Sequence, residues 1–282
     1  MPYKHAGEIS DVWKHLPLCD ILQSEKPIRY HETNSANSHY KIDANPNTEY
    51  GIINVISKSK NNKALERSKY LSILREKGIG EMNYLGSPGL SMETLCDSAD
   101  YFFHDLDIDA IECIKNYASQ NNLLHKVTTF CGDSISALLK NSYQVNKNDF
   151  IFIDPYCPFD KNTEGDDFFD VFEKTLTCKS KVLLWYGYVT HEIKRKIAER
   201  FNYLASKNKT KMWRFDIWLK NMPETKVGIH PGVAGCGLAC ANLSHNSLKI
   251  LMKYLDIITC CYTDSVYLNL DATLLSEKTE YN

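Results

Sequence analysis

The chain is predicted to be an α/β protein with a doubly wound, mostly parallel sheet. Strand and helix patterns alternate between residues 28 and 205, which is the order of a parallel sheet with crossover helices. Residues 150–153 are apolar without alternation, as expected for a strand buried on both faces. Two or three further strand patterns follow residue 205, and they predict antiparallel strands at one edge of the sheet.

The first predicted element is a helix within residues 5–22. Ser10 or Asp11 is placed to cap this helix, and Pro17 is expected to kink it. Its apolar face is formed by Val12, Leu16, Cys19 and Leu22. A short first strand then covers residues 28–32, and a polar loop follows it.

Residues 48–77 have the spacing of helices and stand where the first crossover helix is expected. We therefore place a helical insertion subdomain at residues 43–84 within a single domain, residues 1–282. The later strands are predicted at residues 100–106, 127–131, 149–153, 181–186, 211–219, 236–243 and 265–270. The later helices are predicted after the turn at residues 86–90 and at residues 109–120, 134–140, 166–176, 189–205 and 247–255.

Composition excludes several classes of protein. No apolar run reaches the roughly 18 residues that a membrane span needs, and the first residues lack the apolar core of a signal peptide. The ten cysteines include no Cys-x-x-Cys pair, so zinc-ribbon and thioredoxin-like sites are disfavoured. We expect a cytoplasmic monomer with reduced cysteines, no metal site and no membrane partner.

Positive charge is concentrated in two segments, although the net charge is −2. Residues 58–77 contain seven Lys or Arg and two Glu, and residues 193–214 contain eight Lys or Arg and one Glu. Such segments either contact the phosphates of a nucleic acid or form ordinary solvated helix faces. The sequence alone favours the second interpretation for each segment taken singly.

The buried strand at residues 150–153 leads directly into the strongest candidate for chemistry. Asp154 ends the apolar run, and Pro155 has no N–H with which to continue the strand pairing. Ligands of open α/β sheets bind at the carboxyl ends of central strands. Asp-Pro followed by an aromatic residue resembles the (Asp/Asn)-Pro-Pro-(Tyr/Phe) signature of amino-group methyltransferases, although an ordinary Asp-Pro turn fits the same letters.

The chemistry of an exocyclic adenine amino group explains that signature. Its lone pair is delocalised into the ring, which makes it a poor nucleophile. A carboxylate and a neighbouring backbone carbonyl accept its two N–H bonds, which localises the lone pair and directs it at a methyl donor. A neighbouring aromatic ring stacks on the base.

Four segments in register resemble one family, the RlmJ-type adenine-N6 methyltransferases of large-subunit ribosomal RNA. The family's His-Ala-Gly-x-x-x-Asp-Val-x-Lys-His matches residues 5–15, and its Tyr-x-Gly-Ser-Pro matches residues 84–88. Its Ile-Asp-Pro-Pro-Tyr corresponds to residues 153–156, and its Leu-Trp-Tyr-Pro to residues 184–187. The resemblance implies a Rossmann-like methyltransferase fold, S-adenosylmethionine as cofactor and free 23S ribosomal RNA as substrate.

The resemblance also implies roles for particular residues. Asp154 would be the catalytic acid that receives the target amino group. The implied cofactor residues are His15, Asn34, Ser87, Asp105, Asp133 and Ser134. The implied substrate residues are Lys4, His5, Lys14, Tyr156 and Phe159. Asp107 competes with Asp105 for the cofactor ribose, and Asp133 with Ser134 is also a good helix cap.

Two segments depart from the family pattern. The family's first-strand loop, Asp-x-His-Ala-Gly-x-Gly, is replaced by residues 32–38, Glu-Thr-Asn-Ser-Ala-Asn-Ser, so both glycines are absent. Asn34 tolerates a left-handed conformation, which would still let this loop turn. The second departure is Asp-Pro-Tyr-Cys, in which Tyr156 is shifted by one position and Phe159 is the alternative stacking face.

The methyltransferase remains the favoured hypothesis, but these departures support an alternative: a catalytically silent relative that binds nucleic acid. The family resemblance links such a relative to the use of external DNA. An unrelated hydrolase is disfavoured, because the sequence contains no nucleophile elbow, zinc spacing or P-loop.

Overall fold

One eight-stranded sheet forms the centre of the molecule. A computed structural model gives the structure of the chain, and it describes residues 6–140, 145–224, 234–267 and 270–282. The strands of the main sheet are β1 (Arg29–Thr33), β4 (Asp100–Asp105), β5 (Val127–Cys131), β6 (Asp149–Ile153), β7 (Lys181–Tyr188), β8 (Met212–Leu219), β9 (Gly235–Ala241) and β12 (Leu274–Tyr281). Their order across the sheet is β12-β8-β9-β7-β6-β1-β4-β5.

The sheet confirms the predicted fold class. Strands β5, β4, β1, β6 and β7 run parallel, whereas β9, β8 and β12 each pair antiparallel with their neighbours. β6 shows why the sheet is doubly wound: Phe150 and Phe152 join the core on one face, and Ile151 and Ile153 join the core on the other. All four side chains are fully buried, as the unbroken apolar run predicts.

The last strand of the sheet lies later in the chain than predicted. The sequence pattern places it at residues 265–270, but the strands found there are the short pair β10 (Val266–Tyr267) and β11 (Leu270–Asp271), which form a separate sheet. The true edge strand is β12, where only Leu274 and Tyr281 are buried. Charged residues along an edge strand discourage pairing with other chains, and they also remove the apolar alternation by which a strand is recognised.

Helices cover both faces of the sheet. Their bounds are α1 (Ile9–Glu25), α2 (Pro46–Thr48), α3 (Asn54–Ser59), α4 (Lys63–Glu66), α5 (Lys69–Glu76), α6 (Ser87–Leu95), α7 (Ile108–Gln120), α8 (Ser134–Leu139), α9 (Phe168–Cys178), α10 (His191–Asn208) and α11 (His245–Cys261). A π-helical turn covers Glu49–Ile53, and 3-10 turns cover Ile79–Glu81, Cys96–Ser98 and Leu124–Lys126. Within the described residues, no helix has the length and hydropathy to cross a membrane.

Helix α1 carries the first motif of the sequence. Its predicted apolar face is fully buried, and Pro17 lies inside the helix without ending it. The predicted side-chain cap is wrong, because the helix begins at Ile9 and Glu8 occupies the cap position without a capping hydrogen bond. Asp11 instead reaches back from the first turn and accepts a hydrogen bond from the Gly7 amide at 2.9 Å.

Between β1 and β4 the chain adds a small sheet and four short helices. β2 (His39–Lys41) pairs antiparallel with β3 (Asn83–Leu85), and α2 to α5 lie between these strands. Leu71 and Leu74 of α5 share one core with Leu16 of α1. That residues 43–84 form a distinct subdomain stays a prediction.

Gly51 brings this added region against the start of the chain. The Ile52 amide donates to the Gly7 carbonyl at 2.9 Å. A Cβ at Gly51 would overlap that same carbonyl oxygen, so only glycine permits so close an approach. The first motif is thereby fixed to the insertion as well as to the sheet.

Candidate active site

The candidate site lies at the carboxyl ends of β1 and β6. These strands are neighbours, and the chain moves outward from β1 to β4 and β5 before it returns to β6 on the other side. That reversal is the topological switch point, where open α/β sheets bind ligands. Thr33 ends β1 and joins the two strands here, because its hydroxyl accepts a hydrogen bond from the Asp154 amide at 3.1 Å.

Asp154 presents a half-satisfied carboxylate at this edge. Its side chain is 7% exposed, and Oδ2 accepts a hydrogen bond from Lys14 Nζ at 2.7 Å. The other oxygen, Oδ1, is buried and has no hydrogen-bond partner among the described residues. Burial raises the pKa of Asp154 above its ordinary value, and the Lys14 ammonium opposes that rise. Asp154 therefore offers one buried acceptor for a hydrogen-bond donor.

Lys14 is held between three groups. Besides Asp154, its Nζ contacts Asp11 Oδ1 at 3.1 Å and lies 5.0 Å from the centre of the Trp185 ring. Burial acts against the charged form, but the two carboxylates outweigh it and raise the pKa of Lys14. Asp11 and Trp185 were missed as site residues, although both lie within motifs noted in the sequence and Asp11 stands three residues before Lys14 on one helix.

Glu32, near the end of β1, has a carboxyl group whose two oxygens both have hydrogen-bond partners in the protein. It is fully buried, and its oxygens accept hydrogen bonds from Tyr30 at 2.7 Å and from the Ser87 hydroxyl. Burial raises the pKa of Glu32 to about 8, although the two hydroxyl donors oppose the rise. Glu32 is therefore mostly protonated at neutral pH.

The glycine-free loop after β1 keeps a left-handed turn. Asn34 has φ +53° and Ala36 has φ +54°. This conformation costs about 1–2 kcal/mol for an ordinary L-residue, so other contacts must stabilise it at Ala36. The Ala36 amide donates to Asp105 Oδ2 at 2.8 Å, and the Ser35 amide donates to the His104 carbonyl at 2.9 Å.

Helix α6 supports this loop from behind. The Gly86 amide donates to the Ser38 carbonyl at 3.0 Å. A Cβ at Gly86 would overlap the Asn37 carbonyl oxygen, and one at Gly89 would overlap that of Ser38. Gly86, at the cap position of α6, and Gly89 within the helix therefore let α6 pack directly against the loop.

Several predicted cofactor residues make contacts within the protein. His15 is 2% exposed, lies 2.8 Å from the Tyr84 hydroxyl through Nδ1, and has its pKa lowered to about 3 by burial. Asp133 caps α8 by accepting the amides of Ile135 and Ser136 at 3.2 and 2.9 Å.

The remaining predicted cofactor residues surround the loop. The Ser134 hydroxyl lies 3.5 Å from Asn34 Oδ1, which links α8 to the loop. Asp105 accepts the Asp107 amide through Oδ1 at 2.8 Å, besides that of Ala36. Asp107 itself caps α7 by accepting the Asp109 amide at 2.9 Å. None of these contacts tests a role in cofactor binding.

Of the predicted substrate residues, Tyr156 and Phe159 differ in how far their rings are exposed. Tyr156 is 75% exposed directly beyond Asp154, whereas Phe159 packs on Phe169 with ring centres 5.1 Å apart. The exposed ring of Tyr156 is therefore the better placed to stack on a base. Lys4 and His5 lie outside the described residues.

Two exposed apolar side chains beside Asp105 were not foreseen. Leu106 is 74% exposed and Ile108 is 54% exposed, and both follow the carboxyl end of β4. Large apolar side chains exposed together at a ligand-binding edge favour a flat apolar ligand. Their signal in the sequence is weak, since each stands next to an acidic residue in a polar segment.

The two basic segments differ in how their charges are paired. Seven of the eight basic side chains in residues 193–214 contact carboxylates; they are Lys194, Arg195, Lys196, Arg200, Lys207, Lys211 and Arg214. In residues 58–77, Lys77 pairs with Glu93 at 2.5 Å. Four exposed side chains of that segment have no carboxylate partner in the described part of the chain: Lys58, Lys60, Lys63 and Arg67. We call these four the insertion cations.

One observation fits S-adenosylmethionine. The loop after β1 makes a left-handed turn at Asn34 and Ala36, and it lies at the topological switch point of the sheet. No group of three or more His, Cys, Asp or Glu side chains in the described ranges could hold a metal ion.

One family model matches the chain by sequence. It is described as "Conserved hypothetical protein 95" and matches residues 67–215, more than half of the chain. No curated protein matches the chain by sequence.

Solved structures resemble the chain in fold. A Legionella pneumophila str. Philadelphia 1 protein assigned to family model DUF519 aligns over 98% of both chains with a TM-score of 0.75 and 21% identity. An O-methyltransferase of tomaymycin synthesis from Streptomyces achromogenes, in complex with SAM, aligns over 81% of this chain and 79% of that one, with a TM-score of 0.45 and 10% identity. An O-methyltransferase from Bacillus cereus, in complex with SAH, aligns over 81% of this chain and 80% of that one, with a TM-score of 0.44 and 11% identity.

Proposed function

The chain belongs to the family described as conserved hypothetical protein 95, and we propose that it is an S-adenosylmethionine-dependent methyltransferase acting on N6 of an adenine in 23S ribosomal RNA. The likeness to solved structures supports the fold alone. The choice of reaction rests on the site and on the resemblance of its motifs to the RlmJ-type enzymes.

The observation that carries the proposal is the state of Asp154. One carboxylate oxygen is held by Lys14, and the other is buried without a partner among the described residues. A buried acceptor without a donor is costly unless a ligand satisfies it. An adenine amino group supplies such a donor, and the backbone carbonyl beside Asp154 is the natural acceptor for its second N–H.

The chain's own residues would then position the base. Asp154 fixes the amino group, Lys14 favours the ionised form of Asp154, and the exposed ring of Tyr156 stacks on the base. The amino group loses its proton only after the transfer, so Asp154 acts by positioning and electrostatics and not as a strong base. An adenine in RNA must be unstacked to reach this edge.

The proposed cofactor site lies on the β4 side of Asp154. When bound, S-adenosylmethionine supplies an electrophilic methyl group on its sulfonium. The left-handed loop would hold its methionine part, and the apolar pair Leu106 and Ile108 would hold its adenine. His15 and Ser87 are assigned supporting roles, because their side chains contact Tyr84 and Glu32 in the protein.

The insertion cations are the proposed contact for RNA phosphates. They are exposed and lack carboxylate partners in the described chain, whereas the basic side chains of α10 pair with carboxylates of α9, of β12 and of α10 itself. An unpaired lysine releases counterions when it meets a phosphate, while a paired one must first break its ion pair. Phosphate contact, one of the two interpretations of residues 193–214, is therefore not proposed for that segment.

A methyl-transfer assay tests the proposed function. Purified protein is incubated with methyl-labelled S-adenosylmethionine and protein-free 23S ribosomal RNA, and nucleosides are analysed by mass spectrometry. We expect N6-methyladenosine to be the labelled nucleoside, at about one residue in each RNA molecule. Label on another nucleoside, or on none with folded protein, would contradict the proposal.

A catalytically silent binder of nucleic acid is the second candidate. The observation that favours it is Ala36, whose amide is already bonded to Asp105 and whose methyl group stands where the family has glycine. RNA binding without S-adenosylhomocysteine binding would identify this function.

A further inference from the structure

A cysteine–histidine pair lies behind the loop, outside the proposed site. Cys113 of α7 has its Sγ 3.6 Å from His39 Nδ1 and 3.3 Å from the Ser38 hydroxyl oxygen. The same hydroxyl lies 3.2 Å from His39 Nδ1 and donates to the Cys113 carbonyl at 3.2 Å. His39 also packs beside the buried Tyr117, with ring centres 5.9 Å apart. A thiol, an imidazole and a hydroxyl are thus fixed together on three elements.

This geometry is that of an activated thiol. The thiolate is the reactive form of cysteine, and an adjacent imidazole that accepts the proton stabilises it as an ion pair. Partial burial acts to raise the pKa of Cys113, but the contacts with His39 and Ser38 outweigh it and lower this pKa to about 7. The contact with Cys113 in turn raises the pKa of His39.

The other cysteines provide a contrast within the same chain. Cys96, Cys131 and Cys260 are exposed, whereas Cys113 is only partly exposed. No histidine contact is found for these three thiols among the described residues. If exposure alone set reactivity, Cys113 would react more slowly than these three cysteines. If the His39 contact sets it, Cys113 would react faster.

We propose that Cys113, paired with His39, is a built site for covalent modification by small, soft carbon electrophiles. In the reaction the thiol proton passes to His39, and the thiolate sulfur forms a bond to the electrophilic carbon. The bond from that carbon to its leaving group breaks, and the leaving group departs with the electron pair. No oxidant or reductant is involved. The reaction does not require methyl transfer, although Ser38 belongs to the loop assigned to the cofactor.

Site-resolved alkylation of the full chain tests this inference. The native protein is treated with limiting iodoacetamide between pH 6 and pH 9, quenched at intervals and digested, and the rate at each cysteine is measured by mass spectrometry. At pH 7 roughly half of the Cys113 thiols would be ionised, against a few per cent of an ordinary thiol. We expect Cys113 to react about five- to tenfold faster than Cys131 and Cys260.

A matched pair of variants separates the His39 contact from general access. His39→Gln is expected to slow alkylation of Cys113 about fivefold at pH 7 and to move the midpoint of its pH–rate curve upward. His245→Gln, an exposed histidine at the start of α11, is expected to leave the rate unchanged. A thermal melt verifies that both variants are folded. Equal rates at Cys113 and the exposed cysteines, or a Cys113 rate unaffected by His39→Gln in folded protein, would overturn the proposal.

Discussion

Two buried carboxyl groups at adjacent strand ends differ in what surrounds them. Glu32 on β1 has both oxygens bonded to hydroxyl groups of the protein. Asp154 after β6 has one oxygen bonded to Lys14 and one without a partner in the described chain. The two residues are similar in burial and lie at neighbouring positions of one sheet edge.

The difference separates a structural acid from one prepared for a ligand. Burial raises the pKa of Glu32 to about 8, because the two hydroxyl donors and the Lys14 ammonium offset it only in part, so Glu32 is mostly neutral at pH 7. Lys14 forms a direct ion pair with Asp154, whereas its charge acts on Glu32 without an ion pair. An ion-paired carboxylate with one unsatisfied acceptor suits the binding of an amino group, whereas a mostly neutral carboxyl group with both oxygens bonded suits the support of a loop.

Removal of the open carboxylate should give the largest effect. Asp154→Ala is expected to reduce methyl transfer at least about 100-fold, because the acceptor that orients the amino group is removed. Glu32→Gln is the matched variant and is expected to reduce transfer less than about tenfold, since it acts through Ser87 and not on the reacting atoms. Single-turnover rates measure both. Normal methyl transfer by a folded Asp154→Ala protein would contradict the proposal that Asp154, unlike Glu32, binds the target amino group.

Removal of the cation should make Asp154 resemble Glu32. Lys14→Met leaves a buried, unpaired carboxylate, and we expect a loss of about 3 kcal/mol in the free energy of unfolding. The pKa of Asp154 then rises further above its unfolded value, so stability falls as pH increases. Urea denaturation should therefore show a larger loss at pH 8 than at pH 5. The double variant Lys14→Met with Asp154→Asn should recover part of the loss at pH 8; an additive loss would contradict the pairing.

The neutral state of Glu32 predicts a slope in stability with pH. Its folded pKa, about 8, lies above the ordinary value of 4.5, so the folded state binds the extra proton between these values. Stability therefore declines as pH rises from about 5 to 8, by at most about 1.4 kcal/mol per pH unit. Glu32→Gln cannot ionise and should flatten this decline. An unchanged slope in the variant would show that Glu32 is ionised in the folded protein.

Removal of the insertion cations should give the smallest effect, a change in the salt dependence of RNA binding, which can be compared with removal of paired lysines from α10. Lys60→Ala with Lys63→Ala should make the affinity for RNA less dependent on salt, by about 0.7 in the slope of log K against log salt concentration for each phosphate that the variant no longer neutralises. Lys196→Ala with Lys207→Ala removes equal charge from α10, where both side chains pair with glutamates. Filter binding at several salt concentrations should show the smaller change for the second pair. Equal changes in salt dependence for the two double variants would show that α10 also contacts RNA phosphates.

Local sequence patterns predicted the strands of the sheet well. The site, in contrast, is formed by contacts between residues far apart in the chain, which such patterns do not predict. The bounds of β5 and β6 were predicted to the residue, because strongly apolar or β-branched runs end at clear turn residues. The contact of Lys14 with Asp154 spans 140 positions, and no local pattern encodes it. The left-handed conformation expected of Asn34 is confirmed, but the sequence could not show that Ala36 adopts it too. It also could not show that acids on α9 and β12 pair with Lys194 and Lys207 of α10.

The measurement that tests the central claim most directly is a calorimetric titration of the protein with S-adenosylhomocysteine. If the cofactor lies against the left-handed loop at residues 34–38, we expect binding at micromolar strength to one site in each chain. Ala36→Val should weaken this binding, because its branched side chain is harder to place at positive φ. No binding at millimolar concentration by folded protein would contradict the proposed cofactor site and leave a nucleic-acid binder without methyl transfer.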